Sequence, residues 1–410
     1  MKVLYFHQHF STPKGSSGTR SYSMARALIA AGHEVTMVCG SYRGGVTGIS
    51  LAFRDGCREG DVDGIHVVEF DLSYANADRF SKRTCTFFSY AMRSIGLALT
   101  RDYDLLFATT TPLTASTPGI FARWLRGKPF VFEVRDLWPE LPRAMGVIKN
   151  PLVLWAMGIL EWVSYHSAHH CIALAPGIRE GISTRGIRPE CISTLPNGCD
   201  LHLMGAINEQ WRPAAVPPMD LMAVYAGTHG IANGLDAVLD AAIELQRRSR
   251  ADIKLVLIGD GKEKSRLVAR ATEAKLKNIV FCDPVSKHKL SGLLASADVG
   301  LQILANVKAF YYGTSPNKFF DYLAAGKPVL TNYPGWVADM IQENACGFPV
   351  PPEDPIAFAN ALEAAANDRT ALIAMGENSR ALAEREYDRG KLAQNFVALL
   401  EAAATARLAR

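Results

Sequence analysis

A chain of 410 residues is too long for one typical domain and fits two, each with a sizeable core. Hydrophobic content of 49% and charged content of 20% are ordinary for a globular protein, which excludes a disordered or fibrous chain. The net charge of +4 lies before residue 200, too small for a nucleic-acid binder but enough for a mildly basic face on the first half.

In chain order, Lys2–Phe6 reads as a buried strand, and because MKVLYF enters it directly no signal peptide is expected. Thr19–Ala31 reads as a helix ending at Gly32, and Glu34–Cys39 as the next strand. Further strands are predicted at Ile65–Phe70, Asp104–Ala108, Phe130–Val134, His170–Leu174 and Ile192–Leu195. Helices are predicted near Phe80–Leu99, Pro112–Trp124 and Pro151–Ser167. Continuous apolar strands separated by helices mean a parallel sheet covered on both faces. Leu201–Asp220, rich in Pro and Ala, breaks the pattern and reads as a linker. The alternation then resumes with LMAVYAG, IKLVLIG, NIVFCD, DVGLQIL and KPVLTN.

The predicted layout is α/β, with two tandem Rossmann-like doubly wound domains facing a cleft. The boundaries are 1–200, a linker over 201–219, a second domain over 220–388, and a final helix over 389–410 packing back on the first domain. Of the eight cysteines, Cys39, Cys171 and Cys282 sit in apolar strand-like runs, as reduced core residues do. No Cys or His spacing suggests zinc, and no metal or cofactor is expected. The longest apolar stretch, PLVLWAMGIL, is too short to span a bilayer and reads as a core helix. Ala77–Leu99 mixes Arg79, Lys82, Arg83 and Arg93 with aromatics. It fits a membrane-facing amphipathic patch or an ordinary helix with a basic solvent face, and both readings stay open.

Ligands of open α/β sheets bind outside the carboxyl ends of the strands, so the loops there carry the candidates. After the first strand, Gly15 and Gly18 permit a tight turn, and Thr19 is placed to cap the helix. Arg135 and Asp136 follow a strand, where Arg can grip a phosphate and Asp a sugar hydroxyl or a proton. A local surface ion pair is the bland alternative. In the second half Gly227, Gly230 and Gly234 form a close-approach loop, with His229 as a possible donor. Asp260 reads as a helix cap. The sharpest signal is SPNKFFDYLAAGKPVL: Ser315 is a candidate N-cap and Pro316 suits the first helical position. The N–H groups of Asn317 and Lys318, with the Lys318 charge, then make a diphosphate site. Asp321 lies on the same face, able to accept two ribose hydroxyls.

Together MKVLYFHQHFSTPKGSSGTRSYSMARALIAAGHEVTMV, LPNGCDL, YAGTHGIANGLDAVLDAA and SPNKFFDYLAAGKPVL resemble family-4 retaining glycosyltransferases of the GT-B fold. The resemblance covers nearly the whole chain and is closest to bacterial transferases of UDP-linked amino sugars, of the N-acetylfucosamine type, in surface-polysaccharide assembly. It implies a nucleotide-sugar donor on the second domain and a glycan or lipid-linked acceptor on the first. It implies neither nucleic acid nor a metal, and a cytoplasmic enzyme that can sit peripherally on the membrane. The family's paired Glu residues fall here on Gly313 and Asp321, so donor contact at the first passes to the backbone of Gly313, Thr314 and Ser315. The family's Arg and Lys after the first strand of the second domain are replaced by Thr228 and Asn233, which leaves Lys318 as the clamp. A His common in relatives is replaced by Arg135, so contact with the reacting sugar passes to Arg135 or Asp136, and Gly15 and Gly18 match the loop beside the diphosphate. A nucleotide-sugar epimerase, a sugar phosphorylase and a silent nucleotide-binding subunit share such a fold. A dinucleotide dehydrogenase lacks its Gly-x-Gly-x-x-Gly here, and a solute-binding protein would carry an export signal.

Overall fold

The computed structural model describes residues 1–15, 18–75, 78–205 and 209–405. Positions 206–208 of the expected linker, 77 of the basic stretch and 406–410 of the final helix lie outside them. The chain forms two compact units, Met1–Asn197 with Gly313–Ser315 and the C-terminal segment from Gly390, and Gly198–Tyr312 with Pro316–Arg389.

The first unit is built on β1 (Lys2–Phe6), β2 (Glu34–Tyr42), β3 (Cys57–Val62), β4 (Ile65–Tyr74), β5 (Leu105–Thr109), β6 (Phe130–Val134), β7 (His170–Ala173) and β8 (Ile192–Thr194). Their order across the sheet is β3-β4-β2-β1-β5-β6-β7-β8. All pairs are parallel except β3 with β4. The polar strand β3 has no sequence-level periodicity. It forms because Asp63 and Gly64 both take positive φ in the turn that pairs Val62 with Ile65.

The helices of this unit are α1 (Arg20–Ala30), α2 (Phe80–Thr100), α3 (Thr117–Leu125), α4 (Glu140–Ala144), α5 (Pro151–Ser167) and α6 (Pro176–Thr184). Helices α2 and α5 both pack on α3. Gly119 of α3 lets the Phe130 ring approach, since a Cβ there would lie 2.1 Å from it. Helix α5 departs from the core helix expected from its sequence: Glu161, Ser164, Tyr165 and Ser167 are its buried residues, and its tryptophans are exposed. Cys39 and Cys171 are buried free thiols, whereas Cys282 is only half-buried.

In the second unit α7 (Leu201–Gly205) leads to β9 (Leu221–Ala226), α8 (Asp236–Arg247), β10 (Ile253–Ile258), α9 (Lys264–Glu273), β11 (Ile279–Cys282), α10 (Lys287–Ser296) and β12 (Val299–Gln302). There follow α11 (Ala309–Gly313), α12 (Asn317–Ala324), β13 (Val329–Thr331), α13 (Trp336–Glu343), β14 (Gly347–Pro349), α14 (Pro355–Asn367) and α15 (Arg369–Glu386), after which α16 (Arg389–Thr405) returns to the first unit. The sheet is fully parallel in the order β11-β10-β9-β12-β13-β14. The stretch around Trp211 lies against this unit, its indole Nε1 donating to the Lys289 carbonyl at 2.6 Å. In α16, Phe396 meets Phe107 edge-on at 4.9 Å in the first unit's core, next to Met24, Leu28 and Tyr5. Replacing such a ring by Ala typically costs about 3–5 kcal/mol.

In each sheet the chain runs to one side of the first strand and then crosses to the other. The switch lies between β1 and β5 in the first unit and between β9 and β12 in the second. The carboxyl ends there are the natural ligand positions.

Candidate functional site

In the first unit the cluster is organised by Glu133, fully buried at the end of β6. Its Oε2 accepts from Arg20 Nε at 2.9 Å and Nη2 at 2.8 Å, and its Oε1 from Thr109 Oγ1 at 2.7 Å. Burial pushes this carboxyl up, but Arg20 and Arg135 together hold it below the usual range. Arg135 donates from Nε to Thr109 Oγ1 at 2.9 Å and to Glu133 Oε1 at 3.2 Å, and from Nη2 to Ser21 Oγ at 3.1 Å. The bland alternative of a local Arg135–Asp136 surface pair does not describe Arg135, which is tied to Glu133 beneath it. Asp136 accepts a longer bond from Thr111 Oγ1 at 3.4 Å, and burial raises its carboxyl despite Arg135 nearby.

The polar run directly after β1, His7–Gln8–His9, carries groups that the sequence reading did not single out. His7 and Gln8 are buried, and among the described residues His7 Nδ1 and both Gln8 amide atoms have no hydrogen-bond partner. Burial, then Arg135, holds the His7 imidazole neutral, well below its usual range. His9 stacks on Tyr74 at 4.5 Å and is pulled down to about 3, chiefly by burial. The available signal was a polar triplet at the carboxyl end of the strand beside the switch. Gly15 closes a turn, its N–H donating to the Thr12 carbonyl at 3.1 Å, and also makes a close approach: a Cβ would lie 2.3 Å from Ser11 Oγ and 2.9 Å from the Val46 nitrogen. Gly18 is exposed just before α1, and Thr19 occupies the cap position without a side-chain capping bond.

In the second unit the cluster centres on Lys318. Its Nζ sits 4.7 Å over the Tyr225 ring at the end of β9 and donates to Asn233 Oδ1 at 3.2 Å. A Cβ on Gly227 would come within 3.0 Å of Lys318 Cε, so this glycine makes room for the side chain. Among the described residues no carboxylate pairs with Lys318, and burial lowers its ammonium to about 8. The structure thus brings together Gly227, Asn233, Lys318 and the start of α12. Gly259 supports the same corner, where a Cβ would lie 1.8 Å from the Gly227 carbonyl oxygen at φ +145°.

Several expectations are corrected here. Ser315 is not the N-cap of α12: Pro316 holds that position in extended backbone, with no side-chain cap bond. The Ser315 hydroxyl instead accepts from the Asn197 N–H at 3.0 Å, and Asn197 Nδ2 donates to the Ser315 carbonyl at 2.6 Å. Gly313, Thr314 and Ser315 accordingly group with the first unit. Asp321 is not an open acceptor, because Lys287 Nζ pairs with its buried carboxylate. His229 is fully buried near Tyr225 and Phe281, burial pulls it to about 4, and among the described residues neither ring nitrogen has a hydrogen-bond partner, so it is a neutral ring whose one N–H is unengaged. Asp260 accepts from the Gly261 N–H at 2.8 Å, within its own loop. Thr228 is exposed, its carbonyl taking the Tyr225 hydroxyl at 2.9 Å, and Asn317 is exposed at the first turn of α12.

Residues 15–198 match the family model described as Glycosyl transferase 4-like domain, and residues 207–382 the one described as Glycosyl transferases group 1. A Pseudomonas aeruginosa protein described as "Probable glycosyltransferase WbjE" is 23% identical over 270 residues, 64% of this chain and 66% of that protein. The sucrose-phosphate synthase of Thermosynechococcus elongatus superposes with TM-score 0.74 at 16% identity, over 99% of each chain. Anabaena HepE, solved in complex with UDP-glucose, superposes with TM-score 0.67 at 15% identity, over 98% of this chain and 100% of that one. The fold is that of GT-B glycosyltransferases, and the chain carries both of the matched transferase domains.

Proposed function

We propose that this chain is a metal-independent retaining glycosyltransferase, acting in the cytoplasm of a bacterium and using a UDP-sugar, an N-acetylated amino sugar or deoxy sugar, as donor. The acceptor is a hydroxyl of a glycan or lipid-linked saccharide in polysaccharide assembly, reached at the membrane surface. The observation that carries the reading is Lys318, an ammonium with no carboxylate partner among the described residues, at the carboxyl end of β9 and the start of α12. A diphosphate supplies the countercharge that the described residues do not. The matched domains and the neighbour solved with UDP-glucose support the same donor class.

In this reading the bond from the anomeric carbon to the phosphate oxygen breaks while the acceptor oxygen bonds to that carbon on the same face. The acceptor's proton passes to the leaving phosphate, and Lys318 with the α12 N–H groups stabilises the charge that develops there. Asp136 holds the acceptor hydroxyl and Arg135 contacts the reacting sugar. Asp321 meets the ribose only by sharing its carboxylate with Lys287.

Calorimetric titration with UDP, GDP and ADP tests this. Selective UDP binding, weakened by Asp321→Ala, is the expected result. Selective GDP or ADP binding keeps the transferase and changes the donor, while binding of none by folded protein removes the reading. The alternative of a silent nucleotide-binding subunit draws on Gly313 and the occupied Asp321. It predicts UDP binding with no sugar transfer.

A further inference from the structure

Helix α5 is inverted for a water-soluble helix. Its polar residues face inward: Ser164 Oγ bonds to the Ser116 hydroxyl at 2.7 Å, and Glu161 is buried against Arg185 at 2.7 Å and Tyr165 at 3.2 Å. Its apolar residues face out at helical spacing, Leu152, Trp155, Ile159 and Trp162, on one stripe. Trp155 is 68% exposed and Trp162 51%. Trp124 of the neighbouring α3 is 66% exposed and donates its Nε1 to Ser167 Oγ at the end of α5. Tryptophans with an apolar face outward and a bonded polar atom suit the boundary between water and lipid.

The charge pattern says what this face meets. Helices α2, α3 and α5 contain one carboxylate between them, Glu161, and it is buried and paired. Their cations are Lys82, Arg83 and Arg93 on α2 and Arg123 on α3, with Phe88 and Met92 exposed along α2. A second copy of the chain would set like charges against each other across a two-fold axis. Helix α5, of 17 residues, is about 25 Å long, and among the described residues no helix is long and apolar enough to cross a membrane. It can lie in the interface plane but not span it.

We propose that the α3–α5 face of the first unit, extended by α2, docks on an anionic lipid bilayer, with Trp124, Trp155 and Trp162 entering the headgroup layer. This deepens the lipid-linked acceptor reading above, but it rests on surface chemistry that is independent of the nucleotide site.

The test is co-sedimentation of the full chain with vesicles of phosphatidylcholine, with and without phosphatidylglycerol, at low and high salt. Expected are pelleting with the anionic vesicles that weakens as salt rises, and a blue shift of tryptophan fluorescence. The Trp155→Ser/Trp162→Ser variant should lose about tenfold or more in partitioning, with its melting temperature and UDP titration unchanged. Because both residues are exposed, the variant is expected to fold. No pelleting of the parent, or equal pelleting of the variant, overturns the proposal. So does light scattering that shows a dimer for the parent and a monomer for the variant. Vesicle binding without nucleotide binding would sink the donor reading alone, and the reverse would sink the docking alone.

Discussion

The two units each place cations near the carboxyl ends of strands beside the topological switch and treat them oppositely. In the first, Arg135 and Arg20 share one buried carboxylate, Glu133, and Thr109, Ser21 and the carbonyls of Leu195 and Pro196 take further guanidinium hydrogens. In the second, Lys318 has a neutral amide and an aromatic face for company. A paired buried charge belongs to the architecture, since removing its partner is costly. An unpaired one has a depressed pKa and gains most from an incoming anion. The difference makes the Arg20–Glu133 pair a scaffold that holds Arg135 in place, and leaves Lys318 to take up an anion.

The largest effect that would sharpen the comparison is on stability. Glu133→Ala strands two guanidinium groups and should cost about 3–5 kcal/mol, read by denaturant unfolding. An undiminished midpoint would break the contrast. Next, Lys318→Ala should lower turnover about a hundredfold and weaken UDP binding, while the melting temperature holds or rises, because a desolvated charge has been removed. Unchanged kinetics would take Lys318 out of the clamp.

The pH dependence separates the two roles by sign. Between about 8 and the ordinary lysine value of 10.5, the unfolded chain keeps a proton that folded Lys318 has released. The stability penalty that Lys318 carries relative to Lys318→Met should therefore shrink as pH rises through that window. UDP affinity should fall over the same range as the ammonium discharges, with proton uptake on binding visible by calorimetry in buffers of different ionisation enthalpy. A pH-independent affinity would deny the charge a role. The smallest effect is Asp136→Asn, expected to lower transfer about tenfold with UDP affinity intact. Normal turnover would return Asp136 to a structural role.

The doubly wound halves were legible because buried parallel strands such as FVFEV are apolar throughout and short helices separate them. The edge strand β3 was not, because an edge strand needs no apolar face and its one signal was the Asp63–Gly64 turn. The site was legible where local chemistry determines it: SPNKFFD announces a helix start with a cation, and that cation lies at the carboxyl end of β9. Partners distant in sequence were not legible. Lys287 reaches Asp321 across 34 positions, Asn197 takes Ser315 across 118, and Arg20 meets Glu133 across 113. Nor was the facing of α5, since a helix apolar almost all round carries no moment to say which side is inward. Sequence by itself determined which segments become strands and helices and which loops lie at strand ends, because hydrophobic period and turn chemistry act over a few residues. Only the tertiary structure decided which charges are neutralised and which wait for a ligand, because ion pairing and desolvation depend on neighbours that the fold alone brings together.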